Sequence, residues 1–354
     1  MSVAEPEVAA TTFLKPAERS GRKFLNPVPT ALGGLRIALK VLPQMLFNTA
    51  EREPKQPLGP FHTDSTVYSA PPSTGLRVTW FGHSSMLLEI DGVRVLVDPV
   101  WDKRASPMNW IGPKRFFAPT IELERLPQID VVLVSHDHYD HLGQQTVRRL
   151  AKLQPSARWI TPLRVGPILE RFGVSASRVS ELDWTGTVEI TGTDGAALAI
   201  TALPSRHFSG RSMFRRMETL WASFALRSAR HNVYYGADSG AWPGLAEIGA
   251  TYGPFDLTML EIGAYNEMWK QIHMGPEGAA QAYRAMKGPR GAGLLMPIHW
   301  GLFDLALHGW REPIERMTAI AEAEGWQLWS PHPGMPTEVV HGQALRSTWW
   351  KREA

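Results

Sequence analysis

Apolar residues fall in short blocks along the chain, and four of those blocks end next to a histidine or an aspartate. The run Val131-Val132-Leu133-Val134 precedes His136, and the alternating run from Ala197 to Leu203 precedes His207. Val233 to Ala237 leads into Asp238, and Leu294 to Ile298 leads into His299. Blocks of this length predict strands, buried on both faces where the apolar run is unbroken. Met86 to Ile90 and Val93 to Val97 flank Asp91-Gly92, a pair that suits a type I′ hairpin turn. Helical periodicity follows at Gln144 to Leu150 and near Gly278 to Met286. Strands and helices alternate up to Asp183, and a second β-rich stretch with a late helix follows. Two similar mixed halves of this kind predict an α/β fold with two central mixed sheets flanked by helices.

The segment ahead of these blocks reads differently. Residues 1–30 are polar and Pro-punctuated, without the apolar stretch of a signal peptide, and predict a loosely ordered arm. Residues 31–47 are apolar but carry Arg36, Lys40 and Pro43, too short and broken to span a bilayer. Such a segment lies at a membrane surface, caps a site mouth, or packs on the domain or a second subunit. The division predicted is an N-terminal arm, 1–70, and a main domain, 71–354.

Residues 134–141 change the picture most: Val-Ser-His-Asp-His-Tyr-Asp-His places four metal-ligating side chains within six positions. His136 and His138, two apart on extended chain, point the same way and can share one ion. Asp140 and His141 sit one turn on, at the helix entry, placed for a second. Imidazole and carboxylate are the usual ligands of zinc and neighbouring first-row metals. Two ions need more donors, and His207, Asp238 and His299 supply them from strand ends.

Composition narrows the chemistry. No cysteine is present among the 354 residues, which removes thiol nucleophiles, disulfides and thiolate ligands. A net charge of +3 is too mild to indicate nucleic acid as a partner. Fourteen tryptophans point toward a polar–apolar boundary, that of a membrane or an amphiphile site, with many of them expected as ordinary core or strand residues all the same.

The set His136, His138, Asp140, His141, His207, Asp238 and His299 resembles the metallo-β-lactamase superfamily. Seven further segments narrow the resemblance to the N-acylphosphatidylethanolamine-hydrolysing phospholipase D family. They begin at Gly75, Arg104, Gly112, Glu181, Gly253, Ile262 and Ile298, running to His83, Pro107, Arg115, Trp184, Asp256, Tyr265 and Gly301 in turn. The resemblance spans roughly residues 70–310. It implies an αββα sandwich in which His136, His138 and His207 bind one ion and Asp140, His141 and His299 the other, bridged by Asp238. It also implies that His83 and Asp98 orient ligands without touching metal.

Two zinc ions, with iron or manganese an alternative in one position, would activate a water and polarise a phosphoryl or acyl oxygen. Asp140 is then both ligand and catalytic carboxylate. His273, ahead of Met274-Gly275-Pro276-Glu277, is a candidate for contact with non-bridging oxygens at a helix start. The family's His-x-x-Pro-Glu motif supports that role. Arg206, beside His207, is a candidate substrate-binding cation. The expected reaction is phospholipase D-type hydrolysis of an N-acylated phospholipid. The alternatives are hydrolysis of small soluble phosphodiesters, cyclic nucleotides among them, or of lactones, and a non-catalytic metal-binding scaffold. The enzyme is expected in the cytoplasm or peripherally on a membrane through 31–47, with a homodimer left open.

Overall fold

A computed structural model describes residues 12–32, 43–44, 49–108, 110–192, 195–212, 215–287, 293–340 and 345–352. Most of segment 31–47, namely 33–42 and 45–47, lies outside them.

A small hairpin, β1 (Arg19–Ser20) and β2 (Lys23–Phe24), precedes two large sheets. The first half contributes β3 (Leu76–Gly82), β4 (Ser85–Ile90), β5 (Val93–Val97), β6 (Val131–Leu133), α1 (Gln144–Leu153), β7 (Arg158–Pro162), α2 (Gly166–Arg171) and β8 (Val179–Leu182). The second contributes β9 (Thr187–Thr191), β10 (Ala197–Leu203), β11 (Ser223–Arg227), β12 (Asn232–Tyr235), α3 (Gly244–Tyr252), β13 (Leu257–Glu261), α4 (Gly275–Lys287), β14 (Leu294–Ile298) and α5 (Glu312–Ala323). Near the C-terminus β15 (Thr337–Glu338) adds an edge strand beside β3, and α6 (Trp349–Arg352) follows.

The seven-stranded sheet runs β15-β3-β4-β5-β6-β7-β8 and the six-stranded sheet β14-β13-β12-β11-β10-β9. Each is antiparallel at one side and parallel at the other, the parallel strands being joined through α-helices except β5 and β6, which the long loop 98–130 connects. At the β4–β5 turn Asp91 and Gly92 both have positive φ, 43° and 87°, as a type I′ turn requires.

Period-two alternation decides which side chain faces which layer. Met86, Leu88, Val95, Val97, Val131 and Leu133 join the core between the sheets. Their neighbours Leu87, Leu96 and Val132 face outward onto Val147 and Leu150 of α1 and Leu169 of α2. On the other side α3, α4 and α5 supply Ile248, Tyr283 and Met317 to the core around the second sheet. The result is the αββα sandwich.

Two expectations need correction. Residues 12–32 are not a loose arm: Phe24 is 1% exposed in the main core, its amide donates to Met217 O, and the Ala17 amide donates to Asp183. Asn26 Nδ2 also reaches His207 O at 2.8 Å, so this strap touches the backbone of a candidate ligand. Pro-punctuated sequence has no periodicity, so its anchoring side chains were not distinguishable in advance. Phe24→Ala is expected to lower unfolding free energy by about 3 to 5 kcal/mol in denaturant titration. A loss below about 1 kcal/mol would mean the strap is an ornament on an independent domain.

The tryptophans are the second correction. Twelve of the fourteen are core residues, and only Trp110 is strongly exposed, at 74%. Trp80, Trp300 and Trp349 stack with centroids 5.3 and 5.5 Å apart. Their abundance reflects packing and not an amphiphile boundary.

Candidate metal centre

Every candidate donor lies at or just beyond the carboxyl end of a strand. His83 follows β3, Asp98 follows β5, and His136, His138, Asp140 and His141 follow β6. From the second half His207 follows β10, Asp238 follows β12, Glu261 ends β13 and His299 follows β14. Parallel strands lose their ladder partners at that edge, so it is where α/β folds place ligands. His83, Asp98, Ala237 and His299 hold φ between 37° and 62°. Left-handed backbone costs a non-glycine residue of order 1 kcal/mol, and its clustering here turns side chains inward where the strands stop.

The donors form two sets. Ligand atoms of His136, His138, His207 and Asp238 lie within 4.8 Å of one another, as do those of His83, Asp140, His141 and His299. Asp238 stands between them: Oδ2 is 3.6 Å from His207 Nε2 and 3.1 Å from His299 Nε2, and Oδ1 is 3.2 Å from His141 Nε2.

Hydrogen bonds to the far nitrogens fix which atoms face inward. His141 Nδ1 donates to Asp98 Oδ2 at 2.7 Å and His207 Nδ1 to Ile272 O at 2.9 Å, leaving each Nε2 for the centre. Ser135 Oγ donates to Asp98 and so accepts from His136 Nδ1, which sets that ring the same way. His136 Nε2 then meets His138 Nδ1 at 2.9 Å, and His207 Nε2 lies 3.3 Å from the same atom. Three imidazole nitrogens converge where at most one proton can sit, the arrangement a cation satisfies. In the other set His141 Nε2 and both ring nitrogens of His299, together with Oδ1 of the intervening Asp238, are buried without a hydrogen-bond partner. Buried polar atoms left unpaired are costly, and nitrogen and oxygen donors of this kind fit zinc or a neighbouring metal.

Electrostatics separate the imidazoles, the pKa of His83 falling with burial to about 3 although it stands in the same set as His299. Burial, with neighbouring His141, pushes the pKa of His136 well below the ordinary value, and burial lowers His207 too. Burial also opposes charge on His299, but the Asp238 and Asp140 carboxylates outweigh it and raise its pKa to about 10. Burial would raise Asp140 and Asp238 as well, yet His141 and its neighbours hold both well below the carboxylate range.

His83 Nε2 contacts Asp140 Oδ2 at 2.8 Å, and Asp98 accepts from Ser135, His141 and Tyr235, with a carboxylate oxygen within 4.8 Å of ligand atoms of both His136 and His141. His273 is drawn in by Glu261, which accepts from its Nδ1 at 2.7 Å; its ring centroid lies 5.0 Å from that of His207 and 5.2 Å from that of His299. Glu261 was missed from sequence. It also accepts from Ser239 N and Met274 N, tying the Asp238 turn to the start of α4. The signal was present, since Leu257 to Glu261 is another apolar run ending in a donor. Arg206 lines the neighbouring cleft, but its guanidinium donates to Thr30 Oγ1, Pro29 O and Ala241 O. That ties the strap to the domain.

A Beta-lactamase superfamily domain is recognised over residues 93–300. An uncharacterised protein of Mycobacterium tuberculosis is 41% identical over 345 residues, covering 97% of this chain and 90% of its own. The N-acyl-phosphatidylethanolamine-hydrolyzing phospholipase D 1 of Caenorhabditis elegans is 31% identical over 325 residues, 88% of this chain and 89% of its own. Among solved structures, Igni18, a metallo hydrolase from the archaeon Ignicoccus hospitalis, shares the fold at a TM-score of 0.55 and 20% identity, over 74% of this chain and 97% of its own. The chain therefore belongs to the metallo-β-lactamase superfamily of metal-dependent hydrolases, in its N-acylphosphatidylethanolamine-hydrolysing phospholipase D-like family.

Proposed function

We propose that the protein is a dinuclear phosphodiesterase of phospholipase D type, hydrolysing N-acylphosphatidylethanolamine-like phospholipids to N-acylethanolamine and phosphatidic acid. The observation that carries this reading is the meeting of two donor sets across one carboxylate, Asp238. The activity in the name of the Caenorhabditis elegans relative supports the lipid substrate. His136, His138 and His207 would hold one ion and Asp140, His141 and His299 the other, with Asp238 available to both. Zinc suits both positions, and iron or manganese suits one of them. Two such ions supply a Lewis acid for phosphoryl oxygens and lower the pKa of a coordinated water toward neutrality.

The chain's own residues do the remaining work. Asp140, held through Oδ2 by His83, offers its carboxylate to a water proton as well as to an ion. His273 has Nδ1 committed to Glu261, so Nε2 is the nitrogen left for substrate, and only the doubly protonated ring donates from it to a non-bridging phosphoryl oxygen or the departing alcohol. Residues 31–47 provide a peripheral membrane contact in this reading, and nucleic acid has no part.

A second reading rests on the cleft beside His273. It encloses about 790 Å³, and Arg206, Asn266, Lys270, Glu277, Glu312 and Arg316 give it a polar wall. Such a wall favours a small soluble phosphodiester, a cyclic nucleotide included, or a lactone. Turnover of an N-acylated phospholipid, bis(4-nitrophenyl) phosphate, a cyclic nucleotide and a lactone by the metal-loaded enzyme separates the two. The lipid is expected to lead in kcat/KM by about 100-fold. A cyclic nucleotide or lactone in that place would transfer the assignment to the second reading.

A further inference from the structure

A short antiparallel ladder leaves the ligand-bearing edge directly after Asp98 and Asp102. Arg104 bridges Lys114, the Arg115 amide donates to Lys103 O, and the Phe116 amide donates to Leu302 O just beyond His299. Between this ladder and residues 53–60 lies a cleft of about 590 Å³, a size common for small-molecule sites. Its wall is largely apolar, built by Leu58, Trp101, Phe116, Phe117 and several prolines. None of the donors of the metal centre lines it.

Arg115 lines the same cleft and is 8% exposed. Its Nε donates to Phe117 O, but one terminal nitrogen, buried, has no partner, and the side chain makes no ion pair among the described residues. Asp102 acts on it only at longer range, since its oxygens accept from the Gln145 and Thr146 amides and the Thr146 hydroxyl at the start of α1. Burial brings the guanidinium pKa down to about 10, so the charge persists at neutral pH. A buried cation without a counter-ion is among the most costly groups a fold can carry, unless an anion completes it.

The rim repeats the sign. Lys103 and Lys114 are exposed and form no ion pair among the described residues, and Lys55 reaches Glu51 only at 3.8 Å. Glu53 is the one carboxylate of the lining. At the far end of the ladder Met108, Trp110 and Ile111 are 43, 74 and 49% exposed, an apolar tip beside the basic rim.

We propose that this cleft is a second binding site, apart from the metal centre, for an anionic amphiphile. Arg115, Lys103 and Lys114 hold its phosphate or carboxylate head, and the Leu58, Trp101 and Phe116 wall holds its alkyl chain. The paired demands are what select the ligand class. Inorganic phosphate satisfies the cations but leaves the apolar wall wet, and a neutral detergent does the reverse.

Titration calorimetry on the metal-loaded enzyme tests the site, using dodecyl phosphate below its micelle concentration, inorganic phosphate and dodecyl maltoside. Flotation with phosphatidylcholine vesicles, with and without phosphatidic acid, runs in parallel. Dodecyl phosphate is expected to saturate one site per chain, at least about tenfold tighter than either control. Lys103→Gln with Lys114→Gln should weaken it by about tenfold or more, and Asp238→Asn should leave it in place. Arg115→Met should remove binding without lowering the melting temperature, because the uncompensated charge goes with it. Should that variant not fold, the double lysine variant, at exposed positions, decides alone. Binding of the monomer makes the source a dissolved amphiphile, and binding to phosphatidic acid vesicles alone makes it a bilayer lipid. Equal affinity for the maltoside, loss of binding in Asp238→Asn with the lysine variant unaffected, or no saturable binding to monomer or vesicle would each overturn the proposal.

Discussion

Asp238→Asn is expected to lower the hydrolytic rate by about three orders of magnitude and to release at least one of two bound ions. The substitution keeps volume and removes charge. It also turns an amide donor toward a cluster in which His141 Nε2 lies 3.2 Å from one oxygen and His299 Nε2 lies 3.1 Å from the other. Elemental analysis of the wild-type protein, purified without chelator, sets the reference at two ions per chain. The variant is then compared for ion content and for kcat on the best substrate. A near-normal rate with two ions retained would mean that another carboxylate bridges. Glu261, grouped with Asp238, His273 and His299, would be the group to replace next.

Asp98→Ala is expected to act on stability and metal affinity together. Asp98 is fully buried and accepts from the Ser135 amide and hydroxyl, from His141 Nδ1 and from the Tyr235 hydroxyl. Alanine leaves those donors without acceptors in the protein interior, at a cost of about 3 to 5 kcal/mol in unfolding free energy. His141 also loses the bond that aims its Nε2, which lowers metal affinity by about 10- to 100-fold. Asp98→Asn separates the two effects. It keeps the volume and some hydrogen bonds, so stability should recover in part while metal affinity stays low. Wild-type stability and metal uptake in Asp98→Ala would show that His141 is positioned without Asp98.

Much of this was legible because chemistry and periodicity coincide. A strand of alternating or unbroken apolar residues that stops at a histidine declares its direction and its depth, so His136, His207 and His299 could be grouped before any contact was known. Asp91-Gly92 fixed a hairpin because few other pairs accept two positive φ angles. Glu261 escaped because glutamate at a strand end is common and one strand among several carries no mark of which neighbour it will meet. The fate of Arg206 depended on Pro29 and Thr30, which only the folded strap brings near. Helix α5, Glu312–Ala323, was likewise not anticipated, although its Pro313 sits at a first turn where proline is at home. Tryptophan misled for a different reason. Its amphipathic ring suits an interface, but its area makes it equally valuable in a core, and composition alone does not separate the two.

The split of the centre between the halves of the chain has a thermodynamic consequence. His83 through His141 belong to the first sheet and its loops, and His207 through His299 to the second, so neither half owns a complete coordination sphere. A cation that needs donors from both binds their docked arrangement and not either half apart. By mass action it then contributes RT ln(1 + [M]/Kd) to holding the halves together. Resistance to heat thus becomes a gauge of free metal in the surroundings, and starvation for the ion would weaken the fold of this enzyme as well as silence it.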